Sequence, residues 1–295
     1  MLQHHNQIPK LPERVVVLGA AGFLGSALVR HLTAKGADVL ALTRHEIDLL
    51  APDAADRLAE KLRPSDTFVA AAARAPCKNV AMLVENITMT AAMVHGLAAS
   101  PVSHVVNISS DAVYADSNEP LTERSTMAPE TLHGVMHVAR ELAFRHILHT
   151  PLAIVRPSLL YGAADPHNGY GPNRFRRLAN KGDDIVLFGE GEERRDHVLI
   201  DDAAAVIARV IEHRSTGSLN IATGEVRTFR DIAEMVVALA PHKVSIKVSP
   251  RNGPMPHNGY RPFDISACQT AFPDFRYTAL PDGLAASQRD QARTV

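Results

Sequence analysis

Apolar positions along the chain alternate between two rhythms. Arg14–Leu18 sets three valines and a leucine behind one charge, which predicts a strand buried on both faces. From Phe23 to Lys35 the spacing turns helical, and Asp38–Thr43 predicts a second strand. Ala54–Leu62 reads as a short helix and Thr67–Ala72 as a third strand. Val80, Leu83, Val84, Ile87, Ala91 and Val94 recur at the 3.6 period and mark one face of a long helix. Val102–Ile108, a helix over 129–149 and Leu152–Val155 continue the alternation. Strands alternating with helices imply βαβ units and an α/β fold with a doubly wound parallel sheet over residues 12–165.

Beyond Tyr161 the rhythm loosens. Residues 162–173 are rich in Gly, Pro and Asn and sit between periodic elements, which predicts a functional loop. Asp202–His213 is amphipathic, and Thr228 with Asp231 forms a capping-box pattern opening a helix to Leu239. Residues 166–285 thus predict a smaller α/β substrate-binding region interleaved with the first, and the polar residues 286–295 a flexible tail.

Composition narrows the classes. With 295 residues, 46% apolar and 21% charged, the chain can bury a sizeable core and is not disordered. Thirty-one basic against 32 acidic side chains argue against a dedicated binder of nucleic acid or anionic membrane. No apolar run approaches the ~20 residues of a bilayer span, and Met1–Lys10 lacks the apolar centre of a signal peptide. Cys77 and Cys268 suggest neither a disulfide framework nor a metal knuckle. A cytoplasmic setting is expected.

The strongest chemical signal is Gly19-Ala20-Ala21-Gly22-Phe23-Leu24-Gly25, directly after the first strand and opening the first helix. Glycines at these places permit a tight turn, close approach to a pyrophosphate and close helix–strand contact, as a Rossmann-like dinucleotide site needs. The helix N-terminus then offers free N–H groups to phosphate. An acid ending the second strand would bind the adenosine ribose, but here the strand ends Leu42-Thr43-Arg44. Arg44 offers a fork to a 2′-phosphate, which favours NADP(H) over NAD(H).

The G-x-x-G-x-x-G spacing resembles the extended short-chain dehydrogenase/reductase family, which holds nucleotide-sugar epimerases, dehydratases and ketoreductases. Ser109-Ser110-Asp111-Ala112-Val113-Tyr114 resembles its S-[ST]-x-x-V-Y-G block, and Arg156-Pro157-Ser158-Leu159-Leu160-Tyr161-Gly162 its R-x-x-N-x-Y-G. Leu187-Phe188-Gly189 and Arg195-Asp196-His197-Val198 resemble a later block, so the likeness spans about residues 14–285. Thr43–Leu49 is similar to the NADPH-using reductase branches, which implies that Asp48 and Leu49 border the adenine. The resemblance sets Ala71 and Ala72 beneath the cofactor and Pro157 beside it. It further implies substrate contacts from Ser110, Tyr114, Asn173, Phe188, Arg195 and Arg261, a nucleotide-sugar substrate and a homodimer.

One departure bears on the chemistry. Family members carry Tyr-x-x-x-Lys at the start of the helix beyond Tyr114. Here His133 falls on the tyrosine and His137 on the lysine. Residues i and i+4 share a helix face, so both imidazoles can meet one site. An imidazole titrates near neutral pH and can move a proton unaided. His133 is therefore expected as the general acid/base with His137 as its partner; Asp111 and Tyr114 are rival proton donors. The expectation is a keto-sugar-nucleotide reductase with no metal; the alternatives are an epimerase that keeps its cofactor or a non-catalytic NADP(H)-binding sensor. Two histidines at i, i+4 are also a common metal pair. Leu159 stands where many members have an Asn beside the sugar.

Overall fold

The structure, a computed structural model, describes residues 2–292. In the first half, strands β1 (Val15–Leu18), β2 (Val39–Leu42), β3 (Thr67–Ala70), β4 (His104–Ile108) and β5 (Leu152–Pro157) alternate with helices α1 (Phe23–Ala34), α2 (Ala54–Ala59), α3 (Val80–Ala99) and α4 (Leu132–Ile147). Then follow β6 (Leu159–Tyr161), α5 (Pro172–Lys181), β7 (Ile185–Phe188), β8 (Arg194–Leu199), α6 (Ile200–Glu212) and β9 (Gly217–Ile221). The chain continues through β10 (Val226–Thr228), α7 (Phe229–Leu239), β11 (Ile246–Ser249), β12 (Tyr260–Arg261), α8 (Ser266–Ala271) and α9 (Leu280–Ala292).

Six parallel strands form the main sheet in the order β2-β1-β3-β4-β5-β9. The change of direction beside β1 opens a crevice at the carboxyl ends of the strands, where open α/β sheets take their ligands. On β1, Val15 and Val17 enter the core shared with α1 and α6, while Val16 and Leu18 enter the core on the α2–α4 side. A strand covered on both faces has no polar side, hence its unbroken apolar run. A smaller sheet, β10-β8-β12 with β6 on β8, and the pair β7–β11 form the second region. Its core joins Phe175, Leu187, Phe229, Ile232 and Leu284.

The structure departs from the sequence reading in four places. The sixth strand of the main sheet, β9, comes from inside the stretch assigned to the second region. Residues 286–292, expected as tail, belong to α9, anchored through buried Leu280 and Leu284; residues 293–295 lie outside those described. On α3, Val80, Val84 and Ile87 are exposed, whereas Asn86 and Thr90 are buried. Asn86 faces inward because its amide exchanges hydrogen bonds with the Arg74 backbone at 2.9 and 3.0 Å. At 20 residues α3 is, contrary to the sequence reading, long and apolar enough by composition to cross a bilayer, but it lies against α2 and α4.

Candidate active site

At the junction of β1 and α1 the backbone is pressed together. Gly19 has φ +95°, and a Cβ there would stand 2.6 Å from the Ala72 nitrogen. A Cβ on Gly25 would stand 2.1 Å from the Gly19 carbonyl oxygen. Gly22 caps α1 without a side-chain hydrogen bond, and no acidic residue occupies the first turn. The helix end therefore keeps free N–H groups and positive potential for an anion. A cavity of about 230 Å³ lies here, lined by Gly19, Ala21, Gly22, Arg44, Asp48, Leu49, Ala71 and Ala72. Such a junction fits a dinucleotide pyrophosphate. The side chains of Phe23 and Leu24 turn into the core beside α6 and leave only backbone groups for a ligand, and Pro157 is buried at the end of β5.

At the rim, Arg44 is largely exposed and pairs with Asp48 at 3.1 Å. Glu46 accepts from the Thr43 backbone N–H at 2.8 Å and from its hydroxyl, which holds its carboxyl down to about 2. That acid is tied to its own turn.

The second part of the site is the start of α4. Thr131 caps the helix by accepting from the Gly134 N–H at 3.1 Å. A Cβ on Gly134 would stand 2.1 Å from the Ala112 carbonyl oxygen, so only glycine lets α4 close onto the short turn Asp111–Val113. This contact brings His133 near Asp111. The Cys77 N–H donates to His133 Nδ1 at 3.4 Å, and the His133 and His137 rings meet edge to face with centroids 4.7 Å apart. Burial lowers both imidazoles below 6.5; for His133 the charge of Asp111 opposes the shift. His137 is pushed further by His133 and by the Arg140 cation. Both rings therefore rest neutral near pH 7. The His137 Nδ1 is buried with no partner among the described residues, and no group of three His, Cys, Asp or Glu there could hold a metal.

Ser110, half-buried, accepts from the Ala112 N–H at 3.1 Å and faces the Asp111 carboxylate at 3.3 Å. Asp111 Oδ2 accepts from Arg261 Nε at 2.8 Å, so this carboxylate is occupied as an acceptor beside His133. Several expected contacts are spent elsewhere. Arg261 is buried and divides itself between Asp111, Asp116 and His257, which leaves no open fork for a diphosphate. The Tyr114 hydroxyl is buried between Asn220 at 2.6 Å and Arg156 at 2.8 Å, and burial raises it to about 12. It serves the core network and is no rival proton donor. Asn173 Oδ1 accepts from the Gly162 N–H at 3.1 Å and holds the loop.

Phe188 is 42% exposed and stands 4.8 Å from the Tyr170 ring. Arg195 pairs through Nε with Glu193 at 2.7 Å and lines a second cavity of about 220 Å³ with His197. On α5, Arg176 is buried and donates to the Gly162 carbonyl at 3.0 Å.

Sequence reasoning missed two features of α4. Glu141 accepts from Arg156 at 2.6 Å and from Ser109 Oγ at 2.6 Å, deep in the core. Arg140, also fully buried, meets only neutral oxygens. Their signal was the spacing: three and four residues past His137, both continue toward the buried face that holds Met136 and Phe144.

Comparison with known proteins agrees with this geometry. The model of the NAD dependent epimerase/dehydratase family matches residues 15–222. The chain is 27% identical over 283 residues to dTDP-4-dehydro-6-deoxy-D-allose reductase of Streptomyces bikiniensis, covering 80% of this chain and 84% of that protein. Its fold matches UDP-glucuronic acid 4-epimerase of Bacillus cereus, solved with UDP-glucuronic acid and NAD, at a TM-score of 0.82 and 20% identity over 96% of this chain and all of that one. It also matches a GDP-L-fucose synthetase of Naegleria fowleri bound to NADP, at 0.83 and 16% identity over 99% and 97% of the two chains. With the family match running from β1 through β9, across the glycine turn and α4, the chain belongs to the NAD dependent epimerase/dehydratase family.

Proposed function

We propose that this protein reduces the keto group of a nucleoside-diphosphate keto-sugar at the expense of NADPH. The observation that carries the reading is that Ala72, packed against the pyrophosphate-shaped turn at Gly19, is bonded by Arg140 of α4, the helix that holds His133 and His137 beside Asp111. The reductase from Streptomyces bikiniensis, a relative that acts on a 4-keto-6-deoxy sugar nucleotide by its name, supports it.

NADPH held at the Gly19 turn would supply the hydride. Protonated His133 gives the proton to the substrate oxygen, and the Asp111 carboxylate stabilises the imidazolium while it is charged. The Ser110 hydroxyl donates to the same oxygen. Neutral His137 would hold the nicotinamide ribose, and Phe188 and Arg195 would receive the base and diphosphate of the substrate. The test is NADPH oxidation, followed at 340 nm, with a panel of 4-keto-6-deoxy sugar nucleotides. Turnover on at least one supports the reading, and tight NADPH binding without turnover on any contradicts it.

Arg44 is the proposed contact for the 2′-phosphate. Exposed, and paired among the described residues with Asp48 alone, it can turn to a ligand at little cost. Arg44→Ser is expected to weaken NADPH about tenfold or more, the size of one lost charge-assisted contact, and to leave NADH within about twofold. Fluorescence titration of both cofactors measures the difference.

We further propose a homodimer through α3 and α4. Val80, Val84 and Ile87 on one helix, with Val135, Leu142 and Ile147 on the other, leave an apolar face on two adjacent helices. Exposed patches of this kind mark association surfaces, and a two-fold pairing would cover both helices. Leu142→Glu is expected to yield a monomer in light scattering where the unaltered chain gives a dimer. With the function proposed, a cytoplasmic setting fits the two free, buried cysteines.

A further inference from the structure

Arg140 lies on the same side of α4 as His133 and His137, and its side chain is fully buried. Its Nη2 donates to the Ala70 carbonyl at 2.6 Å, its Nη1 to the Ala72 carbonyl at 2.6 Å and its Nε to Asn107 Oδ1 at 2.7 Å. None of these partners carries a negative charge. Buried cations are ordinarily paired with anions, as Arg156 is with Glu141. Arg140 instead sits behind the floor of the cofactor cavity, where Ala71, Ala72 and Ala73 form the lining.

The hydrogen bonds also orient that floor. A carbonyl turned toward Arg140 aims the N–H of the next residue to the opposite side of its trans peptide. The Ala71 N–H accordingly donates to the Leu18 carbonyl at 2.9 Å on β1. The negative ends of the Ala70 and Ala72 peptides thus point to the guanidinium.

We propose that Arg140 is a positioning residue for the dinucleotide, holding the Ala70–Ala73 floor and supplying the site's fixed positive charge, so that reduced cofactor is bound in preference to oxidised. This rests on the reading of the cavity as a dinucleotide site. The oxidised nicotinamide carries a positive charge that the reduced ring lacks, so a fixed cation with no anion beside it disfavours the oxidised form. It also accounts for a family site that lacks its lysine, since a permanent guanidinium one turn further on supplies the charge.

Calorimetric titration of NADPH and NADP+ separately, on the unaltered protein, Arg140→Met and Arg140→Lys, tests this. Thermal melts accompany each variant. The unaltered protein is expected to favour NADPH about tenfold, the effect of one partly screened unit charge. In Arg140→Met the two affinities converge to within about twofold. Arg140→Lys keeps the preference while both affinities weaken, because an ammonium preserves charge but not the three-way fork. A merely structural role would weaken both cofactors equally in Arg140→Met and leave their ratio unchanged; that result overturns the proposal, as does an unaltered protein with no preference. Should Arg140→Met fail to fold, Arg140→Lys decides: a retained ratio supports the proposal and a collapsed one overturns it. An unaltered protein that binds neither dinucleotide would overturn the cofactor reading itself.

Discussion

Replacing His133 with Phe is expected to lower kcat by about a thousandfold, within the range a positioned general acid contributes, and to leave NADPH affinity within about twofold. The ring sits beside Asp111 and 4.7 Å from His137, while the dinucleotide cavity is lined by other residues. Phe preserves much of the volume, so the loss reports chemistry and not collapse. The pH profile carries the same assignment. Burial lowers His133 below its usual 6.5, and proton donation needs the charged form. Reduction is therefore fastest below that lowered value and falls as pH rises through it; the reverse oxidation rises over the same interval. A rate for His133→Phe close to that of the unaltered protein, or reduction that climbs with pH from 5 to 7, would remove His133 from the mechanism.

Glu141→Leu is expected to destabilise the fold by about 3–5 kcal/mol, the cost of leaving a buried charge without its partner. Arg156 would lose both bonds to the carboxylate, at 2.8 and 2.6 Å, and Ser109 its acceptor at 2.6 Å. The damage would spread, because Arg156 also fixes the Tyr114 hydroxyl that binds Asn220 on β9. Glu141→Leu with Arg156→Met should recover most of the loss, since an apolar pair of similar volume leaves no orphaned charge. Urea denaturation of the single and double variants measures both quantities. A single variant within 1 kcal/mol of the unaltered chain would show that the network contributes little.

Local order carried much of the fold in the sequence. On β1 a valine run and a glycine turn state the strand, the turn and the helix entry together, and the structure places Gly19 and Gly25 where a Cβ would collide. On α3 the period was legible but its direction was not. An apolar stripe says that something covers it, without saying whether the sheet or another surface does so. Here Asn86 takes the inward place because it ties down the Arg74 loop, and Val84 is left outside. On α9 two leucines anchor a helix whose other residues are mostly polar, too weak a pattern to read.

The site was legible as positions and not as partners. Motif spacing set Asp111, His133 and His137 near one another, and the fold keeps them so. The same spacing could not show that Arg261 is consumed by Asp111 or Tyr114 by Arg156, because those contacts join segments more than 40 residues apart. Arg140 escaped notice for a related reason: an arginine on an amphipathic helix is ordinarily solvated, and the carbonyls at the end of β3 together with Asn107 make its burial possible.

The central claim is that hydride passes from NADPH to a keto carbon of a sugar nucleotide held in this cleft. NADPH deuterated at the nicotinamide C4 position that donates the hydride, incubated with a 4-keto-6-deoxy sugar nucleotide, tests it directly by NMR of the product. One deuterium at the sugar C4, with one NADPH oxidised per product formed, is the result expected. Inversion at a sugar carbon with no net NADPH oxidation would contradict the claim and identify an epimerase.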